Sequence, residues 1–235
     1  MRFFYDNTIL GDHHVLSEEE SNHCARVLRL KVGDEIFIAD GHGNLHRSEI
    51  ETIDNKHITI HVVETIAEYN KLPYRLHIAI APTKNMDRME WFLEKATEIG
   101  ISEITPIICH NSERKVVKTE RMNRIVESAM KQSYKAYHPQ VNEAVKFLDF
   151  LKNDNSEQKF VAHCEDDGKR IYLADVVKPK TSVTVLIGPE GDFSHEEIEL
   201  ALQNYVPVTL GSSRLRTETA ALVACDIVSI RNQMM

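Results

Sequence analysis

From residue 71 onward the sequence alternates between short apolar runs and segments of helical spacing, and this alternation limits the possible folds more than any other feature of the chain. Leu76–Ala81 reads as an apolar strand. Met89, Phe92, Leu93 and Ala96 then recur at helical intervals up to Gly100, a helix stop. Ile104–Cys109 is the next strand, and a long helix is predicted over Thr119–Tyr137, ending before Pro139. Ala144, Phe147, Leu148 and Leu151 make a short helix, followed by a loop at Asn153-Asp154-Asn155-Ser156. Phe160–Cys164, Val183–Ile187 and Val206–Leu210 complete five strands, with helices after the last two. Repeated β–α units with apolar strands predict an α/β domain with a parallel, helix-covered sheet.

The first seventy residues follow a different pattern. Glu35–Asp40, Leu45–Thr52 and His57–Val63 are alternating or β-branched runs, separated by turns at Gly41-His42-Gly43-Asn44 and Asp54-Asn55-Lys56. Ser17 with Glu20 forms an S-x-x-E capping box that opens a short helix through Cys24-Ala25-Arg26-Val27-Leu28. These residues predict a small β-barrel module over 1–70 and an α/β domain over 71–235, with the boundary near Asn70–Pro73.

Composition narrows the function classes. The longest unbroken apolar run is the six residues Ala220–Cys225, well short of the ~20 that span a bilayer. The four cysteines lie at least 55 residues apart, which fits neither a zinc site nor a disulfide scaffold and points to a reducing, cytoplasmic setting. Seven of the twelve histidines fall in the first seventy residues without ligand spacing, so no metal site is expected. The net charge of −8 is unevenly spread: −7 over residues 1–70, +4 over 71–140 and −5 over 141–235. Any binding of nucleic acid must therefore come from a local basic patch, and only the middle third has the material for one.

No G-x-x-x-x-G-K-[ST], G-x-G-x-x-G, H-E-x-x-H, C-x-x-C or G-x-S-x-G occurs. Two segments near the C-terminus carry more information. In Leu186-Ile187-Gly188-Pro189-Glu190-Gly191 a buried strand ends in Gly-Pro-x-Gly, and a Ser194/Glu197 capping box follows. In Leu210-Gly211-Ser212-Ser213-Arg214-Leu215-Arg216-Thr217-Glu218-Thr219-Ala220 a second strand ends at glycine before an apolar helix that Thr217 can cap. Each reads either as an ordinary βα turn or as a place where a small molecule approaches the backbone at the C-terminal edge of a parallel sheet.

The basic middle supports a polyanion partner. At 100° per residue, Arg124, Lys131 and Lys135 share a narrow stripe of the long helix, opposite Met122, Ile125, Val126 and Ala129, and Arg114, Lys115 and Lys118 lead into it. Arg26, Arg29 and Lys31 form a smaller cluster in the acidic first domain. Each group reads as a solvated face or as a set of phosphate contacts.

Ile187-Gly188-Pro189-Glu190-Gly191 taken with Leu210-Gly211 and Leu215-Arg216-Thr217-Glu218-Thr219-Ala220 resembles the 16S ribosomal RNA uracil-N3 methyltransferase family of the SPOUT superfamily. Val27–Asp34, Asp87–Gly100, and Gln132-Ser133 with Pro139 match the same family in the right order. The resemblance implies an N-terminal PUA-like RNA-binding barrel and a C-terminal SPOUT domain with a deep trefoil knot. It also implies S-adenosylmethionine as cofactor, a homodimer, and N3 methylation of one uridine in 16S RNA, with the assembled small ribosomal subunit as partner. Leu186 to Gly191, Leu210, Gly211, Leu215, Thr217, Thr219 and Ala220 would then bind the cofactor. Arg26, Arg29, Lys31, Arg88, Arg114, Lys115, Arg124, Lys131 and Lys135 would contact RNA. Two departures are visible: Asp192 stands where the family usually has a second glycine, and Tyr134-Lys135 replaces a Gly-Arg step.

For this chemistry the protein must position the base and stabilise the anion left when the imide N3–H loses its proton. Arg216 is the candidate cation; Glu218 serves either as the base or as a favourable charge at the helix N-terminus. Two other readings fit the residues: a SPOUT enzyme with another RNA target, and a non-catalytic RNA-binding factor.

Overall fold

The computed structural model describes residues 1–54, 57–165 and 168–234, so the predicted turn at Asp54-Asn55-Lys56 lies partly outside the described residues. The chain forms two compact units, Met1–Lys71 with Met130–His138, and Leu72–Ala129 with Pro139–Met235.

The first unit is built on β1 (Phe3–Tyr5), β2 (His13–Val15), β3 (Glu35–Ala39), β4 (Leu45–Asp54) and β5 (His57–Ile66), in the order β1-β3-β4-β5-β2. All neighbouring pairs are antiparallel except β1 with β3. Alternation turns Ile36, Ile38, Ile50, Ile58 and Ile60 onto one face, where they are buried with Phe4, Leu16 and Cys24. Removing each such isoleucine from water contributes about 1.5–3 kcal/mol. The barrel expected from the sequence is thus a five-stranded mixed sheet around this core. Its two edge strands meet through side chains, where the Asp6 carboxylate after β1 lies 2.9 Å from the His14 ring on β2.

Helix α1 (Glu18–Asn22) starts as expected, with the Ser17 hydroxyl accepting from the Glu20 amide at 3.2 Å. The reciprocal half of the capping box differs. Glu20 is buried and takes the Lys131 ammonium at 2.8 Å, a longer-range partner that wins because a buried carboxylate needs a counter-charge. The helix also stops early, passing into a π-helical turn at His23–Val27 in which Leu28 N–H reaches the His23 carbonyl.

The second unit runs β6 (Arg75–Ile80), α2 (Met86–Ile99), β7 (Glu103–Ile108), α3 (Thr119–Gln132), β8 (Gln140–Val141), β9 (Val145–Lys146), α4 (Phe147–Asn153), β10 (Gln158–Ala162), β11 (Ile171–Tyr172), α5 (Leu173–Val176), β12 (Ser182–Ile187), α6 (His195–Ala201), β13 (Val206–Thr209) and α7 (Thr217–Gln233). The last three residues of α3 belong to the first unit. The sheet order is β11-β13-β10-β12-β6-β7-β8, with β9 also on β7, and every pairing is parallel. β8, β9 and β11 are two-residue strands, too short to leave a periodic signal in the sequence.

Strands β6 and β12 are buried on both faces. Ile78, Ile80, Val183 and Val185 pack with Phe92, Leu93 and Ala96 of α2 and Ala221, Ala224 and Val228 of α7. Ala79, Leu186 and Ile107 face Phe147 and Phe150 of α4 and Ile198 of α6. Early strands extend the sheet to one side of β12 and later ones to the other. The C-terminal ends of β10, β12 and β13 therefore come side by side at a topological switch point, the usual ligand edge of such a sheet.

The long helix ends at Gln132 rather than Tyr137. Tyr134 adopts φ 55°, and Tyr134 N–H and Lys135 N–H return to the carbonyls of Lys131 and Met130. That is a Schellman termination with tyrosine in the left-handed position where glycine is favoured. Lys135 therefore follows the helix instead of extending the basic stripe.

Candidate active site

Both glycine-ended strands open at this edge. At Gly188 a Cβ atom would lie 3.1 Å from the Phe193 ring and 3.2 Å from Asp192 Oδ1, so glycine is needed for close packing. The loop then turns tightly, with Asp192 N–H on the Pro189 carbonyl at 2.9 Å and Asp192 at φ 64°. Asp192 compensates for this unfavourable backbone with its side chain: Oδ1 accepts from Phe193 N–H at 2.9 Å and Oδ2 from Cys164 N–H at 2.7 Å. The Ser194/Glu197 capping box forms completely and opens α6. Glu190 accepts from Lys84 N–H at 2.9 Å, and Arg114 donates to the Lys84 carbonyl at 2.8 Å, fixing the loop after β6. Asn111 holds the Gly191 carbonyl at 3.2 Å.

In the second loop Gly211 has φ 139° with open space around its Cβ position, so backbone conformation selects glycine there. Arg216 occupies the N-cap of α7 without a side-chain cap bond, and it is exposed. Thr217 does not cap the helix. Its buried hydroxyl donates instead to the Gly188 carbonyl at 3.1 Å and links the two loops.

A cavity of about 310 Å³ lies between the loops. Of the candidate cofactor residues, Ile187, Gly188, Pro189, Glu190, Leu215, Thr217 and Ala220 line it, as does Arg216. Leu210 and Gly211 line an adjoining cavity of about 920 Å³, which shares Leu215 and Ala220. Leu186 is buried in the sheet, and Gly191 and Thr219 line neither cavity. Apolar walls from Ala162, Ile187, Leu215 and Ala220, with main-chain groups from two loops, suit a nucleoside-type group held mainly by the backbone.

Glu218 is buried and lines neither cavity. Its Oε1 lies 3.8 Å from Arg88 Nε, and its Oε2 has no hydrogen-bond partner among the described residues. Sequence reasoning missed Ala162, Cys164 and Arg214, which line both cavities, and Arg170 and Tyr172, which line the larger. Phe160–Cys164 reads as a strand, but nothing local shows that it lies between β12 and β13. Burial pushes the Cys164 thiol up and Asp192 adds to this, while Arg214 and Arg170 pull it down.

The expected RNA contacts divide by environment. Arg26, Arg29 and Lys31 are exposed in the first unit beside exposed Val27, Leu28 and Val32. Lys115 is exposed, Arg124 pairs with Glu120 at 2.6 Å, Arg88 is beside Glu218, and Arg114 is engaged with the loop after β6. Lys131 serves Glu20, and burial lowers the pKa of Lys135. Among the described residues no three His, Cys, Asp or Glu side chains form a metal-binding group, and no helix is long and apolar enough to cross a membrane.

Comparison with known proteins agrees with this fold. The family model described as RNA methyltransferase domain matches residues 70–229, and RNA methyltransferase PUA domain matches residues 16–63. Ribosomal RNA small subunit methyltransferase E of Aquifex aeolicus is 30% identical, over 98% of this chain and 98% of that protein. The crystal structure of a "probable rRNA-methyltransferase" from Porphyromonas gingivalis superposes with a TM-score of 0.93 at 39% identity, covering 100% of this chain and 99% of that one. Ribosomal RNA small subunit methyltransferase E from Neisseria gonorrhoeae, bound to S-adenosyl methionine, gives 0.84 at 27% identity, covering 96% and 95%.

Proposed function

The chain belongs to the RNA methyltransferase family, and from that premise we propose that it methylates N3 of one uridine in 16S ribosomal RNA with S-adenosylmethionine as donor. The observation that carries this reading is the pair of glycine-ended loops, tied by the Thr217–Gly188 hydrogen bond around a cavity with Arg216 at its lining. When bound, the donor supplies a methyl group already activated on a sulfonium, which leaves positioning and charge stabilisation to the protein. The main chain at Gly188 and Gly211, with Leu215 and Ala220, would hold the donor. Arg216 would stabilise the uracil anion as N3–H is lost. The buried position of Glu218 favours its other role, a carboxylate at the first turn of α7 that also faces Arg88.

The proposal extends to the setting. The two loops would be those of the trefoil knot, two copies of the chain would act together in the cytoplasm, and the assembled small subunit would be the substrate. Exposed Arg26, Arg29 and Lys31 support an RNA contact by the first unit. The deciding experiment is methyl transfer from labelled S-adenosylmethionine to small subunits lacking the modification, with mass spectrometry of the digested nucleosides. A single N3-methyluridine is expected; a ribose-methylated product or no incorporation overturns the reading. Sedimentation and a comparison of naked 16S RNA with subunits test the remainder.

A further inference from the structure

The segment between β7 and α3 is joined to the loop after β12 and its helix at three places, although His110–Arg114 lines no part of the smaller cavity. It begins with a tight turn. Cys109 N–H donates to the Ser112 hydroxyl at 3.0 Å, and Ser112 N–H returns to the Cys109 carbonyl at 3.2 Å. Ser112 is buried and anchors the turn, which leaves Asn111 exposed. Asn111 Nδ2 then donates to the Gly191 carbonyl at 3.2 Å and to the Asp192 carbonyl at 3.1 Å. His110 N–H donates to Glu197 Oε1 at 2.9 Å while Glu197 Oε2 accepts from Ser194 N–H, so one carboxylate ties the turn to the cap of α6. Arg114 makes the third connection indirectly. Its guanidinium donates to the Thr83 and Lys84 carbonyls at 3.3 and 2.8 Å, and Lys84 N–H donates to Glu190 at 2.9 Å.

The fit at Gly191 is close. Gly191 does not have a positive φ, so backbone freedom does not account for glycine there. A Cβ atom would lie 3.3 Å from Asn111 Cβ, tighter than ordinary contact, so this glycine makes room for Asn111. A loop ordered before its ligand arrives loses less freedom on binding, which strengthens affinity. We propose that Asn111 and Arg114 are positioning residues for the donor loop. Asn111 holds the Gly191–Asp192 step from outside, and Arg114 shapes the loop after β6 so that Lys84 N–H orients Glu190. Arg114 thereby leaves the set of RNA contacts expected from the sequence. Lys115 and Lys118, exposed and without an ion pair among the described residues, stay in the stretch available to RNA. The proposal rests on the smaller cavity being the donor site.

The test compares Asn111→Asp, Arg114→Ala, Arg114→Lys, Glu190→Ala and Lys115→Ala in the full chain. Asn111→Asp keeps the size but sets an acceptor against two carbonyls. The readouts are the Kd for S-adenosylmethionine by calorimetry, hydrogen exchange of residues 188–193 without the donor, and retention of unmodified small-subunit RNA on filters across a salt series. Asn111→Asp and Arg114→Ala should each raise the donor Kd about tenfold and speed exchange of the loop amides, with the RNA salt slope unchanged. Exchange over β6 and β7 should match the wild type, which shows that the variants fold. Arg114→Lys should recover at most part of the affinity, because an ammonium cannot fork across two carbonyls. Arg114→Ala combined with Glu190→Ala should lose less than the two single losses together, since both act through Lys84. Lys115→Ala should do the opposite, lowering the salt slope by about 1 with the donor Kd within about twofold.

Wild-type donor affinity and loop exchange in both Asn111→Asp and Arg114→Ala would overturn the proposal and leave the donor reading standing. A salt slope lowered by about 1 in Arg114→Ala, with donor affinity kept, would also overturn it by returning Arg114 to the RNA. If the wild-type chain binds no donor, the donor reading falls. Faster loop exchange in the two variants then supports the positioning role of Asn111 and Arg114, and unchanged exchange overturns it.

Discussion

The Thr217 hydroxyl donates to the Gly188 carbonyl at 3.1 Å, with both residues buried, so the loop after β12 is bonded directly to the first turn of α7. Replacing Thr217 with valine keeps the volume and leaves the Gly188 carbonyl without its donor, a cost of about 1–3 kcal/mol. Donor affinity should fall about tenfold in calorimetry, and Thr217→Ser should retain it.

Arg216 lines the cavity proposed for the donor while remaining exposed, and no side-chain cap bond occupies it. Arg216→Ala should keep donor affinity within about tenfold and lose most turnover, since a cation opposite a developing anion acts on the transition state. Single-turnover rates set beside the donor Kd check this, and unchanged turnover removes Arg216 from the reaction.

Asp192 combines φ 64° with two side-chain bonds that offset the unfavourable backbone. Asp192→Gly loses those bonds but relaxes the left-handed conformation, whereas Asp192→Ala loses the bonds and keeps the strain. Thermal melting should rank the wild type above the glycine variant and the glycine variant above alanine, the last two separated by about 1 kcal/mol. Equal melting of the two variants would contradict that account.

Asp154 is buried at the opposite edge of the sheet, before β10, where Tyr205, Ser156 and Thr184 bond its carboxylate at 2.6, 3.0 and 3.1 Å. Burial alone would raise its pKa, but these bonds outweigh burial and hold it below its ordinary 3.8. A folded pKa that is depressed gives stability that is present above the unfolded value and lost as pH falls through the folded one. Melting temperature should therefore drop on acidification from about pH 4 downward, and Asp154→Asn, less stable at pH 7, should show a shallower acid limb.

Gly43 sits at φ 106°, and a Cβ there would lie 2.3 Å from the Tyr137 ring. Gly43→Ala should destabilise the first unit by several kcal/mol, and Tyr137→Leu should recover part of the loss by removing the obstruction. Denaturant titration of the two single variants and the double variant measures this coupling.

The strands and helices legible in the sequence are those with strong periodicity, and the glycine loops are legible as a pair, since each alone reads equally as an ordinary βα turn. Long-range pairing was not legible. Glu20 reads as half of a capping box because Ser17 is three residues before it, yet its charge is answered by Lys131, which the sequence places on an RNA-facing stripe. The long helix reads through to Tyr137 because Tyr134 carries no signal for a left-handed turn, and Tyr134 and Asp192 are both positions where the resemblance expects glycine. Arg170 and Tyr172 stayed hidden because only the sheet order brings β11 beside β13.

The first unit is discontinuous along the chain. Met130 and Ala136, from the segment that follows most of α3, are buried with Ala39 and Leu45, and Gly43 N–H bonds to the Ala136 carbonyl at 3.0 Å. During synthesis, residues 1–71 thus leave the ribosome with part of their own interior still untranslated. This module cannot complete its packing until residue 138 has emerged, by which time four elements of the other unit have already been made. A fragment cut at residue 71 would expose Ala39 and Leu45 to water, and a faithful excision of the module has to graft 130–138 back onto it.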